Sequence, residues 1–164
     1  MIKILYFGGQ KSGKSRLAEQ KAISLSKSKP YYIATYDNSY GDEEMALRIQ
    51  KHQIQRQDSF ITIEESYRLD KLIQPNQTYL IDCMSMWILN TLDDELDSIL
   101  AWLDKLLAID ANIVFVLNDV NSGVIPLDKL SRKYVDRSGI IGQKLASKCD
   151  EVYEVKLGLE IKLK

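Results

Sequence analysis

The 164-residue sequence predicts an α/β fold with a mostly parallel central sheet, flanked by helices and closed by a C-terminal antiparallel hairpin. Three observations predict it. Short β-branched or aromatic runs alternate with longer helical patterns, as stacked βαβ units do. The first apolar run, Ile2 to Phe7, leads straight into Gly8-Gly9-Gln10-Lys11-Ser12-Gly13-Lys14-Ser15, a complete G-x-x-x-x-G-K-[ST] pattern of the kind found at a strand-to-helix turn. After Gly158, the residues Leu159 to Leu163 alternate apolar and polar with period two, the pattern of a hairpin strand.

Taken in chain order, the apolar runs predict strands over 2–7, 31–35, 60–64, 78–82, 112–117 and 151–155. Helical spacing predicts helices over 14–28, 42–57, 66–73, 84–107 and 127–148. The last carries Leu127, Leu130, Val135, Ile140, Ile141 and Leu145 in a helical rhythm that Gly139 and Gly142 interrupt. With no repeat, low-complexity stretch or linker, residues 1–164 read as a single nucleotide-binding domain.

The glycine-rich run is a phosphate-binding P-loop. Gly8 and Gly13 let the backbone curl and aim its N–H groups at phosphate oxygens. Lys14 neutralises β/γ charge, and Ser15 is the candidate Mg²⁺ ligand. The helix expected after it adds the positive end of its dipole.

Composition agrees with an enzyme domain: 45% of residues are hydrophobic and 27% charged. Lysine and arginine number 22 against 23 acidic residues, so the net charge of −1 gives no reason to expect nucleic acid as a partner. Cys83 and Cys149 suggest neither a disulfide framework nor a zinc site, no segment reaches membrane-span length, and the chain opens on a strand; a cytoplasmic location is the economical expectation.

Three further positions carry chemistry. Asp82 ends an apolar strand as a Walker-B acid does, where it would help hold Mg²⁺ or its waters beside a nucleotide; a strand-end aspartate also caps a following helix, and the P-loop favours the first role. Asn118 and Asp119, at the end of Ile113 to Leu117, are expected at the same sheet edge, either touching substrate or starting a turn. His52, the only histidine, aligns at helical spacing with Arg48 and Arg56. Two cations flanking one imidazole disfavour its protonated form and offer a polyphosphate cradle, which suits a histidine nucleophile attacking phosphorus. Composition alone favours a solvated helix face with Glu44 pairing Arg48.

The sequence resembles a known family nearly end to end, the bifunctional adenosylcobinamide kinase and adenosylcobinamide-phosphate guanylyltransferases. The resemblance is carried by GGQKSGKSRLAE, YIAT at Tyr32 to Thr35, DEEMALRIQKHQIQR ending at Arg56, TIEE around Glu64, LIDCMSMWILN from Leu80 to Asn90, NDVNSGVIP from Asn118 to Pro126, and CDEVYEV with a final IKLK. Most specific are RI-x-x-H-x-x-x-R behind a P-loop and D-C-x-x-x-W-x-x-N.

The resemblance implies a RecA-like P-loop NTPase fold and a homotrimer. It implies phosphorylation of the aminopropanol hydroxyl of adenosylcobinamide with ATP or GTP and Mg²⁺, followed by transfer of GMP from GTP, through a histidine, to adenosylcobinamide phosphate. The family histidine falls on His52, and nucleotide contacts fall on Gly8 through Ser15, Thr35, Tyr36, Asp37, Gln53, Ile54, Gln55, Arg56, Glu64 and Asp82. A carboxylate at Glu64 or Asp82 also suits the paired N1–H and N2–H₂ donors of guanine. The chain departs from the family pattern at Asp119 (glutamate there), Asn121 (glycine), Val135 (arginine) and Gly142 (asparagine); the missing arginine and asparagine come from the region assigned to the corrinoid or subunit side, and aspartate for glutamate at 119 bears on the kinase step. Two alternatives compete with the bifunctional enzyme: a guanylyltransferase without kinase activity or a kinase for another small alcohol, and, behind these, a regulatory P-loop ATPase.

Overall fold

The computed structural model describes residues 1–36 and 58–164. Its elements are β1 (Lys3–Gly8), α1 (Lys14–Leu25), β2 (Tyr31–Ala34), β3 (Ile61–Glu64), α2 (Leu69–Leu72), β4 (Thr78–Asp82), α3 (Met84–Asn90), α4 (Leu96–Ala108), β5 (Asn112–Asn118), α5 (Lys129–Lys148), β6 (Glu151–Lys156) and β7 (Leu159–Lys162). The strands form one sheet in the order β3-β2-β4-β5-β1-β6-β7. Every neighbouring pair is parallel except β6 with β7, the predicted closing hairpin.

Each central strand is buried on both faces, so its residues divide by parity between two cores. Ile4, Tyr6, Leu80, Val114 and Val116 face α1, where Ala18 and Ala22 allow close approach. Leu5, Ile81, Ile113, Phe115 and Leu117 face the helices of the other side, meeting Trp87 and Ile88 of α3, Ile99 and Leu103 of α4, and Ile141 and Leu145 of α5. Position in the sheet decides why β5 is the most continuously apolar strand: it lies at the centre, between β1 and β4.

The strand predictions hold to within a residue or two; the helices need correction. The segment 84–107 is two helices, broken over residues 91–95. An unbroken helix would carry Asp93, Asp94 and Glu95 in its middle, whereas the break places them at the amino end of α4, where the helix dipole favours carboxylates. Thr91, fully buried, donates its hydroxyl to Trp87 O at 2.9 Å, and Asp94 N donates to Thr91 O at 3.1 Å to close the turn. Long-range contacts fix it: Tyr67 Oη donates to Asp94 Oδ1 and Arg137 Nη2 to Asp94 O. The helix expected over 66–73 is the single turn α2, and the last helix starts at Lys129 because Asp128 caps it, accepting from Ser131 N at 2.8 Å. That helix runs unbroken through Gly139 and Gly142. The helix expected over 42–57 lies outside the described residues.

Candidate active site

The register decides which residues share the carboxyl-terminal edge of the sheet. Glu64 pairs with Ala34, Ala34 with Asp82, and Gly8 with Asn118. Glu64, Thr35, Asp82, Asn118 and the P-loop, from five separate stretches of sequence, therefore open on one side, where ligands of open α/β sheets bind. Glu64 and Asp82 are separated by β2, which at ordinary strand spacing puts their backbones roughly 10 Å apart.

Gly8 to Ser15 forms the turn from β1 into α1. Gly13 is the N-cap at φ 97°, in the left-handed region that glycine enters without steric cost, and Leu17 N donates to its carbonyl at 3.2 Å. Gly8 is required for a different reason: a Cβ there would stand 2.4 Å from Val155 O of β6. The loop is braced from both sides. Gly158 N, in the β6–β7 turn, donates to Ser12 O at 2.8 Å, and Asp119 N donates to Gly8 O at 2.9 Å.

Lys14 is only 6% exposed, and its Nζ donates to Gly9 O at 3.0 Å. Burial lowers its pKa below the ordinary lysine value, and the carboxylate of Asp82 is the largest influence opposing that shift. A desolvated ammonium beside a carboxylate, satisfied by the loop's own carbonyl, is poised to exchange that carbonyl for a phosphate oxygen. Ser12 Oγ is buried with no hydrogen-bond partner, a further hydroxyl that an oxyanion in the loop would satisfy. Cys83 lies next to Asp82, but burial pushes its thiol up to about 11, so it stands as a neutral thiol rather than a nucleophile.

The D-C-x-x-x-W-x-x-N string proves to be scaffolding for this edge. Thr35, fully buried, donates its hydroxyl to Cys83 O at 2.7 Å and accepts from Cys83 N at 3.0 Å, bracketing the cis Asp82–Cys83 peptide. Asn90 Nδ2 donates to Thr35 O at 2.8 Å and Ser66 O at 2.9 Å, while Trp87 Nε1 donates to Tyr67 O at 2.7 Å. One helix thus ties the segment after β2 and the segment after β3 to the end of β4. Its sequence signal was a tryptophan and an amide three residues apart on one helix, which says that both are fixed but not to what.

Three departures from the family pattern converge. Asn121 Nδ2 donates to Val135 O at 2.9 Å and lies 3.1 Å from where a Cβ on Gly139 would be, one turn before Gly142. Of the predicted site residues, Gly8, Gly9, Gln10, Lys11, Ser12, Gly13, Lys14, Ser15, Thr35, Tyr36, Glu64 and Asp82 lie at this edge, and Asp37, His52, Gln53, Ile54, Gln55 and Arg56 lie outside the described residues.

The family of cobinamide kinase / cobinamide phosphate guanyltransferase matches residues 4–163. The chain belongs to this family. It is 36% identical to the bifunctional adenosylcobalamin biosynthesis protein CobP of Pseudomonas aeruginosa, covering 99% of this chain and 98% of that one. It is 35% identical to the bifunctional adenosylcobalamin biosynthesis protein CobU of Escherichia coli, covering 99% and 100%. Among solved structures, the flagellar accessory protein FlaH of Methanocaldococcus jannaschii matches with a TM-score of 0.51 at 12% identity, over 93% of this chain and 70% of that one. An ATPase of a bacterial type III secretion system matches with a TM-score of 0.52 at 13% identity, over 98% and 57%. These distant likenesses concern the fold alone, that of a RecA-like P-loop NTPase. Among the described residues no helix is long and apolar enough to cross a membrane.

Proposed function

We propose that this member of the family, an enzyme of adenosylcobalamin biosynthesis, phosphorylates adenosylcobinamide with ATP or GTP and then guanylylates the product through His52, as a homotrimer in the cytoplasm. The observation that carries the reading is the buried Lys14 in an intact P-loop beside Asp82, in a chain that the family covers almost from end to end.

In the first reaction the acceptor hydroxyl attacks the γ-phosphorus, and Lys14 with the loop N–H groups offsets charge building on the phosphoryl oxygens. In the second, an imidazole nitrogen of His52 attacks the α-phosphorus of GTP. A P–N bond forms as the bond to pyrophosphate breaks, and a phosphate oxygen of adenosylcobinamide phosphate then displaces the imidazole to give adenosylcobinamide-GDP. Support for His52 is its place between Arg48-Ile49 and Arg56 in the family string. Ser15, second residue of α1, and Asp82, next to the Lys14 charge, are hard oxygen donors that fit Mg²⁺, which keeps phosphate and water oxygens as its other ligands. When bound there, Mg²⁺ would supply further neutralisation of phosphate charge.

The two carboxylates divide by position. Asp82 influences the Lys14 ammonium directly and so belongs to the phosphate end, whereas Glu64, two strands away, is the better candidate for the guanine edge. Glu64→Ala should therefore weaken GTP by about tenfold more than ATP, the order expected for losing hydrogen bonds to a charged acceptor. Asp82→Ala should weaken both nucleotides alike and raise the Mg²⁺ requirement. Isothermal titration with each nucleotide checks both; a GTP-selective loss at Asp82 would move that residue to the base.

Turnover tests the whole reading. The protein with Mg²⁺ and GTP should release pyrophosphate continuously only when adenosylcobinamide is supplied, with adenosylcobinamide-GDP accumulating. Nucleotide hydrolysis indifferent to the corrinoid would instead mark a regulatory ATPase, and GMP transfer restricted to pre-formed adenosylcobinamide phosphate a guanylyltransferase without kinase activity.

A further inference from the structure

On the face of β1 and β5 opposite α1, a cavity of about 430 Å³ lies between α5 and the sheet, within the size range of small-molecule sites. It starts at the catalytic edge, because Phe7 and Leu117 in its floor directly precede Gly8 and Asn118, and it continues over Val152 of β6. Its polar lining, Asp119, Ser138 and Gln143 in particular, contains no cation. Such a lining suits a neutral arm rather than a polyphosphate, and it includes a polar group left without a partner. Ser138 is 1% exposed, and its Oγ makes no hydrogen bond. A buried hydroxyl with nothing to bond, on a residue that lines the cavity, is costly to the fold and calls for an explanation, which a ligand reached by rotation of the side chain supplies.

Asp119 links this cavity to the P-loop. Its N–H is bonded to Gly8 O, while its carboxylate is oriented by Asn121 N at 3.1 Å and Ser122 Oγ at 2.7 Å. We propose that the cavity receives the hydroxyl-bearing arm of the acceptor, with its carbon skeleton on the apolar floor, Ser138 and Gln143 bonding its neutral polar groups, and Asp119 taking the hydroxyl proton. The proposal rests on the kinase reading given above. In the step it describes, the arm's oxygen forms the new bond to the γ-phosphorus, the bond from that phosphorus to the β,γ-bridging oxygen breaks, its electron pair leaves with the nucleoside diphosphate, and the proton passes to an Asp119 carboxylate oxygen.

Three variants test it: Ser138→Ala, which removes only the unpartnered hydroxyl, Ala146→Leu, which adds bulk to the cavity wall, and Asp119→Asn. Steady-state phosphorylation of adenosylcobinamide is measured with acceptor and nucleotide varied in turn, alongside thermal melting. Ser138→Ala and Ala146→Leu should each raise the KM for adenosylcobinamide by about tenfold while moving the nucleotide KM by less than about twofold. Ser138→Ala should melt no lower than wild type, because the hydroxyl it removes makes no hydrogen bond, so a raised acceptor KM would not reflect lost folding. Asp119→Asn should lower kcat by about a hundredfold or more while leaving the nucleotide KM within about twofold. The proposal is overturned if Ser138→Ala leaves the acceptor KM unchanged, or if acceptor and nucleotide constants rise together. A wild-type protein that does not phosphorylate adenosylcobinamide at all would overturn the kinase reading first and this inference with it, whereas active wild type with indifferent variants overturns the inference alone.

Discussion

Lys14→Ala should abolish both phosphorylation and GMP transfer while the protein stays folded. On the proposed mechanism both reactions place charge on phosphoryl oxygens in one loop, and removing the buried Lys14 ammonium there should cost each transition state at least about a hundredfold in rate. The fold is spared for a physical reason. Folding lowers the pKa of Lys14, so its charged form is less favoured in the native state than in the unfolded chain. Below that lowered pKa the residue opposes folding, and the opposition fades as pH rises through it. At neutral pH the alanine variant should therefore melt at or above the wild-type temperature. Transfer of labelled γ-phosphate and of labelled α-phosphate, measured beside circular dichroism and a thermal melt, checks all three statements. A folded variant with near-normal turnover in either assay would separate the two sites that one loop is held to serve.

His52→Ala should divide the two activities. With Mg²⁺ and GTP labelled at the α-phosphorus, wild type should form a GMP adduct that survives alkali and is lost in acid, as a P–N bond to imidazole behaves. The variant should form none. Direct attack of an alcohol on the γ-phosphorus needs no protein nucleophile, so the variant should keep phosphorylating adenosylcobinamide and accumulate its phosphate. Gel autoradiography and chromatography of the corrinoid products give the two readouts. GMP transfer at the wild-type rate would return His52 to the role that composition alone favoured, a polar residue on a solvated helix.

What could be read from the chain was whatever is encoded locally. The P-loop is eight consecutive residues whose glycines answer to backbone geometry, and the structure gives Gly13 the left-handed conformation that its place in the motif implied. The strands were legible because burial on two faces demands continuous apolar runs, and the hairpin because Gly158 and a period-two pattern are adjacent in sequence. The helix over 84–107 was misread for the complementary reason. Its apolar rhythm continues across the break, and what ends it is a turn held by Tyr67 and Arg137, distant residues that no window of sequence contains.

By itself, then, the sequence determined the α/β class, the parallel sheet, the phosphate loop and, through the family strings, the chemistry expected there. Only the tertiary structure decided the strand order that inserts β5 between β1 and β4, the placing of Asp82 on the same sheet edge as the P-loop, the need for glycine at position 8 beneath Val155, and the joining of Asn121, Val135 and Gly139 beside one cavity. Periodicity records which face of a strand or helix must leave water, because that is a property of the residues themselves. It does not record which distant segment covers that face, because burial is non-directional and many apolar partners satisfy it equally; the choice among them is made by the simultaneous packing and hydrogen bonding of the whole chain.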